Sequence, residues 1–171
     1  MPRYVAFLRG VMPTNCKMPA LRACFEAAGF AEVKTLLASG NVVFTAKSAP
    51  LAALERRAER AMESQLGRVF GTFVRPADFL RELLDSDPFA RFAVPDGAKR
   101  VVTFLREPPD PAPALPVERS GACIHGVAGA EAFASYLPSP EGPVFMTLLE
   151  RTFGKDVTTR TLETVRRCVE A

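Results

Sequence analysis

No apolar stretch in this 171-residue chain approaches the roughly 20 residues needed to span a bilayer. The opening MPRYVAFLRG meets charge too early to act as a secretory signal. The expected location is therefore the cytoplasm, with no membrane partner. A block of like charge is missing too: 22 Lys and Arg against 19 Asp and Glu leave a net charge of +3. ERRAERAMES interleaves the two signs in the way a solvated helix face does. Without a basic run, nucleic acid is expected to bind weakly at most, and in a salt-sensitive way.

Phosphate loops are also absent. Neither G-x-x-x-x-G-K nor G-x-G-x-x-G occurs, so nucleotide binding by those backbone cradles has no support and no cofactor is expected. Cys16, Cys24, Cys123 and Cys168 form no C-x-x-C pair and share the chain with a single histidine, which leaves a zinc site short of ligands. They read as reduced, mostly buried thiols. That histidine, His125, has no serine or aspartate partner in a known catalytic motif, so a core or surface role is favoured over general-base chemistry. Asp85 and Asp87, beside Pro88, look like solvated helix-end carboxylates rather than an acid–base pair.

Periodicity is informative in the first half. Tyr4 to Leu8 reads as a strand closed by Arg9-Gly10, and Met18, Leu21, Phe25 and Ala28 recur at helical spacing before Gly29. Val33 to Ala38 and Val42 to Thr45 flank Ser39-Gly40-Asn41, which predicts a hairpin. Leu51, Leu54, Ala58, Met62 and Leu66 mark a second amphipathic helix ending at Gly67 or Gly71, and Val69 to Val74 a fourth strand. The order β-α-β-β-α-β over the first 75 or so residues is that of the split, ferredoxin-like unit.

Further on, Pro76 opens a helix with Phe79, Leu80, Leu83 and Leu84 that stops before Asp87-Pro88, and Arg100 to Leu105 is a strand. Pro108 to Pro116 holds five prolines in nine residues and must be a loop or stiff connector, separating strands within the second half. ACIHGV reads as a strand, while EAFASYL fits either a strand or a short helix. Val144 to Phe153 and the segment with Leu162, Val165 and Val169 predict two helices that finish the chain. The expected fold is a single compact α+β domain over residues 1–171: a ferredoxin-like first half, then a second α+β half with two C-terminal helices.

In DVTTRTLETVRR, Thr158 or Thr159 is expected to cap the last helix. Arg160 would then lie in the first turn, where a cation opposes the helix dipole, and an anion held by Arg160 and the free amides would remove that conflict. Arg9 and Gly10, where a strand hands over to a loop, form a second place suited to a ligand. Ser39, Gly40 and Asn41 read first as a turn.

Four segments, YVAFLRG, MPALR, ASGNVVF and VTTRTLETV, occur in order from Tyr4 to Val165 and resemble the signature blocks of the bacterial domain of unknown function 1697 family. The resemblance implies a cytoplasmic α+β fold with a ferredoxin-like first half and no established reaction. It also suggests that Ser39 and Asn41 line the same edge as Arg9. The family's first block usually continues as a Gly-rich RGINVGG turn, where this chain has Pro13 and Thr14. Its last block usually reads TTRNW, where this chain has Thr161 and Leu162.

The combined expectation is binding of an anionic small molecule or phosphate-bearing polymer through Arg9, Gly10, Ser39, Gly40, Asn41, Thr158, Thr159 and Arg160. An enzyme acting on such a ligand, with those residues as transition-state donors, and a structural dimerisation module are the alternatives. The chain is expected as a monomer or homodimer.

Overall fold

The computed structural model of the chain describes residues 1–138 and 143–171. It is a mixed α/β fold with two antiparallel sheets and, among the described residues, five helices. The chain divides into two compact units, Met1–Asp85 with Val165–Ala171, and Ser86–Thr164.

In the first unit, β1 (Arg3–Leu8), α1 (Met18–Ala27), β2 (Ala31–Leu36), β3 (Asn41–Thr45), α2 (Leu51–Leu66), β4 (Thr72–Pro76) and α3 (Ala77–Asp85) follow one another, and the sheet has the order β2-β3-β1-β4. Tyr4, Ala6 and Leu8 alternate onto the face that meets α1 and α2, where they join Phe25, Phe30, Phe44, Leu54, Ala58 and Met62 in one buried cluster. Val5, Phe7, Val43 and Phe73, on the opposite face, are fully buried as well. Strands buried on both faces read as continuous apolar runs, which is why YVAFL and VVF stand out in the sequence.

The charged residues of α2 depart from the expected solvated face. Glu55 accepts the Val74 N–H at 2.9 Å and Glu59 the Thr72 N–H at 3.1 Å, so the helix supplies acceptors to amides of the edge strand β4. Arg57 donates to the Ala28 carbonyl at 2.8 Å and lies over the Phe30 ring, 4.5 Å from its centroid. Mixed charge on this helix ties elements together; its periodicity alone could not distinguish that from solvation.

In the second unit, β5 (Lys99–Leu105), β6 (Val117–Arg119), β7 (Ala122–Ala128), β8 (Glu131–Tyr136), α4 (Val144–Phe153) and β9 (Val157–Thr161) lead into α5 (Leu162–Glu170), and the sheet has the order β6-β7-β8-β5-β9. EAFASY is a strand, paired to β7 on one side and β5 on the other. The proline-rich segment connects β5 to β6. α4 covers one sheet face, packing Phe145, Leu148 and Leu149 on Val101, Ile124 and Ala134.

The C-terminal stretch corrects the sequence reading. Two helices do come last, but β9 stands between them, and Thr158, Thr159 and Arg160 belong to that strand rather than to a helix start. Four of the five residues in VTTRT are β-branched, and pairing with β5 outweighs their capping tendency. The cap falls to Thr161, whose Oγ1 accepts the Thr164 N–H at 3.2 Å and lies 3.0 Å from the Thr164 hydroxyl. Thr161→Ala should therefore cost about 1 kcal/mol by thermal unfolding. Arg160→Glu should bring no helix-dipole gain, since Arg160 precedes the cap and is held on β9.

Candidate functional site

Strand alternation divides the expected anion site on β9. Thr158 and Arg160 share one face, where the Arg160 guanidinium donates to the Thr158 hydroxyl at 2.7 Å and to the Thr159 carbonyl at 2.8 Å. Thr159 points the other way, and its hydroxyl meets that of Thr103, directly across the ladder, at 2.8 Å. Thr159 and Thr161 thus stand on the face that α4 covers.

There they line a pocket of about 440 Å³. Tyr136 and Phe145 form its aromatic wall, stacked with centroids 4.6 Å apart and ring planes at 16°. Val144, Phe145 and Met146 bring the first turn of α4 to its edge, and the residue before that turn, Pro143, offers no side-chain cap. Ser120, from the β6–β7 turn, adds a hydroxyl. An apolar wall beside a few hydroxyl-bearing residues and the start of a helix whose N-cap residue has no side-chain bond is the makeup of a small-molecule site, and the volume lies within the usual range of about 300–1,000 Å³.

The other expected residues lie in the first unit, at one end of its sheet. Leu8 donates its N–H to the Gly40 carbonyl at 2.9 Å and Arg9 its N–H to the Gly71 carbonyl at 2.8 Å, which sets the end of β1 between the β2–β3 turn and the start of β4. The structure thus brings Arg9, Gly10, Ser39, Gly40 and Asn41 to one edge. Their chemistry differs. Asn41 is fully buried, and its amide donates to the Leu36 carbonyl and the Ser39 hydroxyl, both at 3.0 Å, which is the work of a turn. Arg9 is half-buried and Gly10 exposed. In the loop after them, where Pro13 and Thr14 stand, Asn15 replaces glycine turn geometry with side-chain bonds: it donates to the Gly10 carbonyl and accepts the Met12 N–H, both at 2.9 Å.

All four cysteines are free and buried. Among the described residues, no group of three or more His, Cys, Asp or Glu could hold a metal ion, and no helix is long and apolar enough to cross a membrane.

The sequence profile of the proteins of unknown function termed DUF1697 matches residues 1–127. The chain belongs to that family. The match takes in the YVAFLRG, MPALR and ASGNVVF blocks and ends before Val157–Val165, so the residues around the pocket under α4 lie partly beyond it. No curated protein matches the chain. Among solved structures, the conserved bacterial protein SP0830 from Streptococcus pneumoniae is similar in fold, with a TM-score of 0.71 at 18% identity over 99% of this chain and 97% of that one.

Proposed function

We propose that this DUF1697 protein binds a small molecule with an anionic group, carboxylate or phosphate, attached to an apolar ring or chain, in the pocket under α4. One observation carries the reading: the stacked rings of Tyr136 and Phe145, together with Thr159 and Thr161, line one cavity at the edge of which α4 begins, and its N-cap residue, Pro143, offers no side-chain cap. The first amides of a helix lack intrahelical acceptors and favour negative charge, while the stacked rings favour an apolar body. Arg9 and Gly10, beside the Ser39–Asn41 turn, form a second anion contact in this reading, supported by their place at the end of β1. For nucleic acid the net charge of +3 supports weak, salt-sensitive contact at most.

The first unit is, in our reading, of the split ferredoxin-like type; its β-α-β-β-α-β element order and β2-β3-β1-β4 strand order support this. A cytoplasmic site of action is supported by the four free, buried thiols.

Phenyl phosphate, with inorganic phosphate and benzyl alcohol as the two half-ligands, tests the proposal by amide chemical-shift mapping. Phenyl phosphate should shift Ser120, Phe145, Met146, Thr159 and Thr161 at concentrations where either half-ligand has little effect. Met146→Glu places a negative charge at the pocket edge on a residue 37% exposed, and should weaken binding at least about tenfold while leaving the fold alone. Shifts confined to Arg9, Gly10 and Asn41 would transfer the site to the first unit, and the absence of any saturable shift would remove it.

A further inference from the structure

On the sheet face opposite α4, Cys123, His125 and Ser135 make a connected set that the pocket under α4 does not use. Ser135 stands directly opposite Cys123 in the β7–β8 ladder, and the ladder shifts register between Ile124 and Gly126, at His125. The His125 ring, stacked on Phe92 at 5.2 Å and edge-on to Phe89, reaches both neighbours. Its Nε2 is 2.7 Å from the Ser135 hydroxyl and its Nδ1 is 3.3 Å from the Cys123 sulfur. Cys123 in turn stands opposite Glu118 in the β6–β7 ladder.

In the tautomer whose Nδ1–H is directed at the Cys123 sulfur, Nε2 carries no proton and accepts from the Ser135 O–H. A serine hydroxyl donating to an unprotonated imidazole nitrogen, with that imidazole oriented from behind by a third group, is the arrangement that activates a serine nucleophile. Ser135 and Cys123 also line a cavity of about 220 Å³ between Pro95 and the Arg119–Gly121 turn, large enough for a short acyl chain. The Arg119 guanidinium suits an anionic substituent there.

We propose that Ser135 and His125 form a nucleophile–base pair that takes a short acyl group from a small ester, with Cys123 and Glu118 as positioning residues. Ser135 Oγ adds to the ester carbonyl carbon while its proton passes to His125 Nε2. The bond from that carbon to the alcohol oxygen breaks, and the alcohol leaves with the proton. Water, deprotonated by the same Nε2, then adds to the acyl-serine carbonyl. Cleavage of the bond to Ser135 Oγ releases the carboxylic acid, and the proton returns to the serine. The net reaction is ester plus water to acid plus alcohol.

The protonation states agree with these roles. Burial lowers the His125 pKa below its ordinary 6.5, against a smaller opposing pull from Glu118, so the ring is unprotonated at neutral pH. Burial, then the neighbouring Glu118 carboxylate, push the Cys123 thiol up to about 11, which makes it a neutral link rather than a competing nucleophile. Glu118 is the acidic group acting on the ring, and the guanidinium groups of Arg91 and Arg100 lie over Phe92 and Phe89, the rings that pack on it.

The test uses the full chain with 4-nitrophenyl acetate, following nitrophenolate release and locating the acetyl group by mass spectrometry of acid-quenched protein. Acetyl-Ser135 should accumulate, Ser135→Ala should abolish it, and His125→Gln should slow release by about 100-fold or more. The rate should rise to a plateau with its midpoint below pH 6.5, whereas a surface amine would keep gaining rate well above neutrality. Ser135→Cys, a near-isosteric variant, should be alkylated at position 135 by iodoacetamide faster with His125 present than with His125→Gln. Acetylation elsewhere with none at Ser135, or release unaffected by Ser135→Ala in a folded variant, would overturn the proposal.

Discussion

Replacing Phe44 by alanine should destabilise the first unit by about 3–5 kcal/mol, the range for deleting a fully buried aromatic side chain. Phe44 lies on β3 with no exposed surface, among three other rings: its centroid is 4.2 Å from Phe30, 5.7 Å from Tyr4 and 5.7 Å from Phe25. Those neighbours come from β1, from α1 and from the turn after α1, so the cavity left behind would open where sheet and helix meet. The Phe30 ring has little freedom to fill it, because the Arg57 guanidinium sits over it and Arg57 is itself tied to the Ala28 carbonyl. Phe44→Leu, which keeps most of the volume, should cost less than about 1.5 kcal/mol. The chain has no tryptophan and two tyrosines, so denaturation of a Tyr136→Phe background can be followed through Tyr4, which stacks on Phe44. A loss below 1 kcal/mol for Phe44→Ala would show that the cluster can collapse around the gap.

The elements legible in the sequence are those whose burial pattern matches a simple period. Leu21, Cys24 and Phe25 on α1, and Leu54, Ala58 and Met62 on α2, are buried at the spacing a helix imposes. The hairpin followed from a turn signal between two apolar runs. β6 did not, because three residues emerging from a proline-rich connector carry no alternation to read. β9 reads as a helix start in the sequence because threonine serves two purposes: its β-branch favours a strand and its hydroxyl favours a cap, and in VTTRT the first holds through Arg160 while Thr161 does the second.

The sites depended on information that local sequence does not carry. Thr158, Thr159 and Arg160 are adjacent in the chain, yet strand alternation puts Thr159 under α4 and the other two on the opposite face. Tyr136, Phe145 and Thr159 meet because α4 folds back over the sheet. His125 and Ser135 are ten positions apart in two unremarkable strands, and their contact depends on the β7–β8 register together with the irregularity at His125. Of these, the local signal was alternation: Cys123 and His125 stand two positions apart on β7, and Ser135 two positions after Phe133 on β8, within otherwise apolar segments.

Gly40→Ala should cost about 2–5 kcal/mol, combining a left-handed backbone that a side chain resists with overpacking of the atoms around it. Gly40 has φ +83°, and a methyl group added there would lie 2.9 Å from Val11 Cβ, 3.0 Å from Val11 Cγ2 and 3.1 Å from Leu8 Cβ. None of these is the far end of a flexible chain: a Cβ moves only with its backbone, and Leu8 is the residue whose N–H donates to the Gly40 carbonyl. Relief would have to come from shifting β1 against the hairpin. Asn41, fully buried beside it, would then lose the geometry of its bonds to Leu36 and Ser39. Gly10 supplies the control, since it has φ +86° but nothing within 4 Å of an added methyl. Gly10→Ala should show the backbone part alone, about 1 kcal/mol. The difference between the two variants, measured by urea unfolding through Tyr4, isolates the close approach of β1 and the β2–β3 turn. Equal costs would mean that Val11 and Leu8 yield freely, and that the end of the sheet carrying Arg9 is softer than its backbone bonds imply.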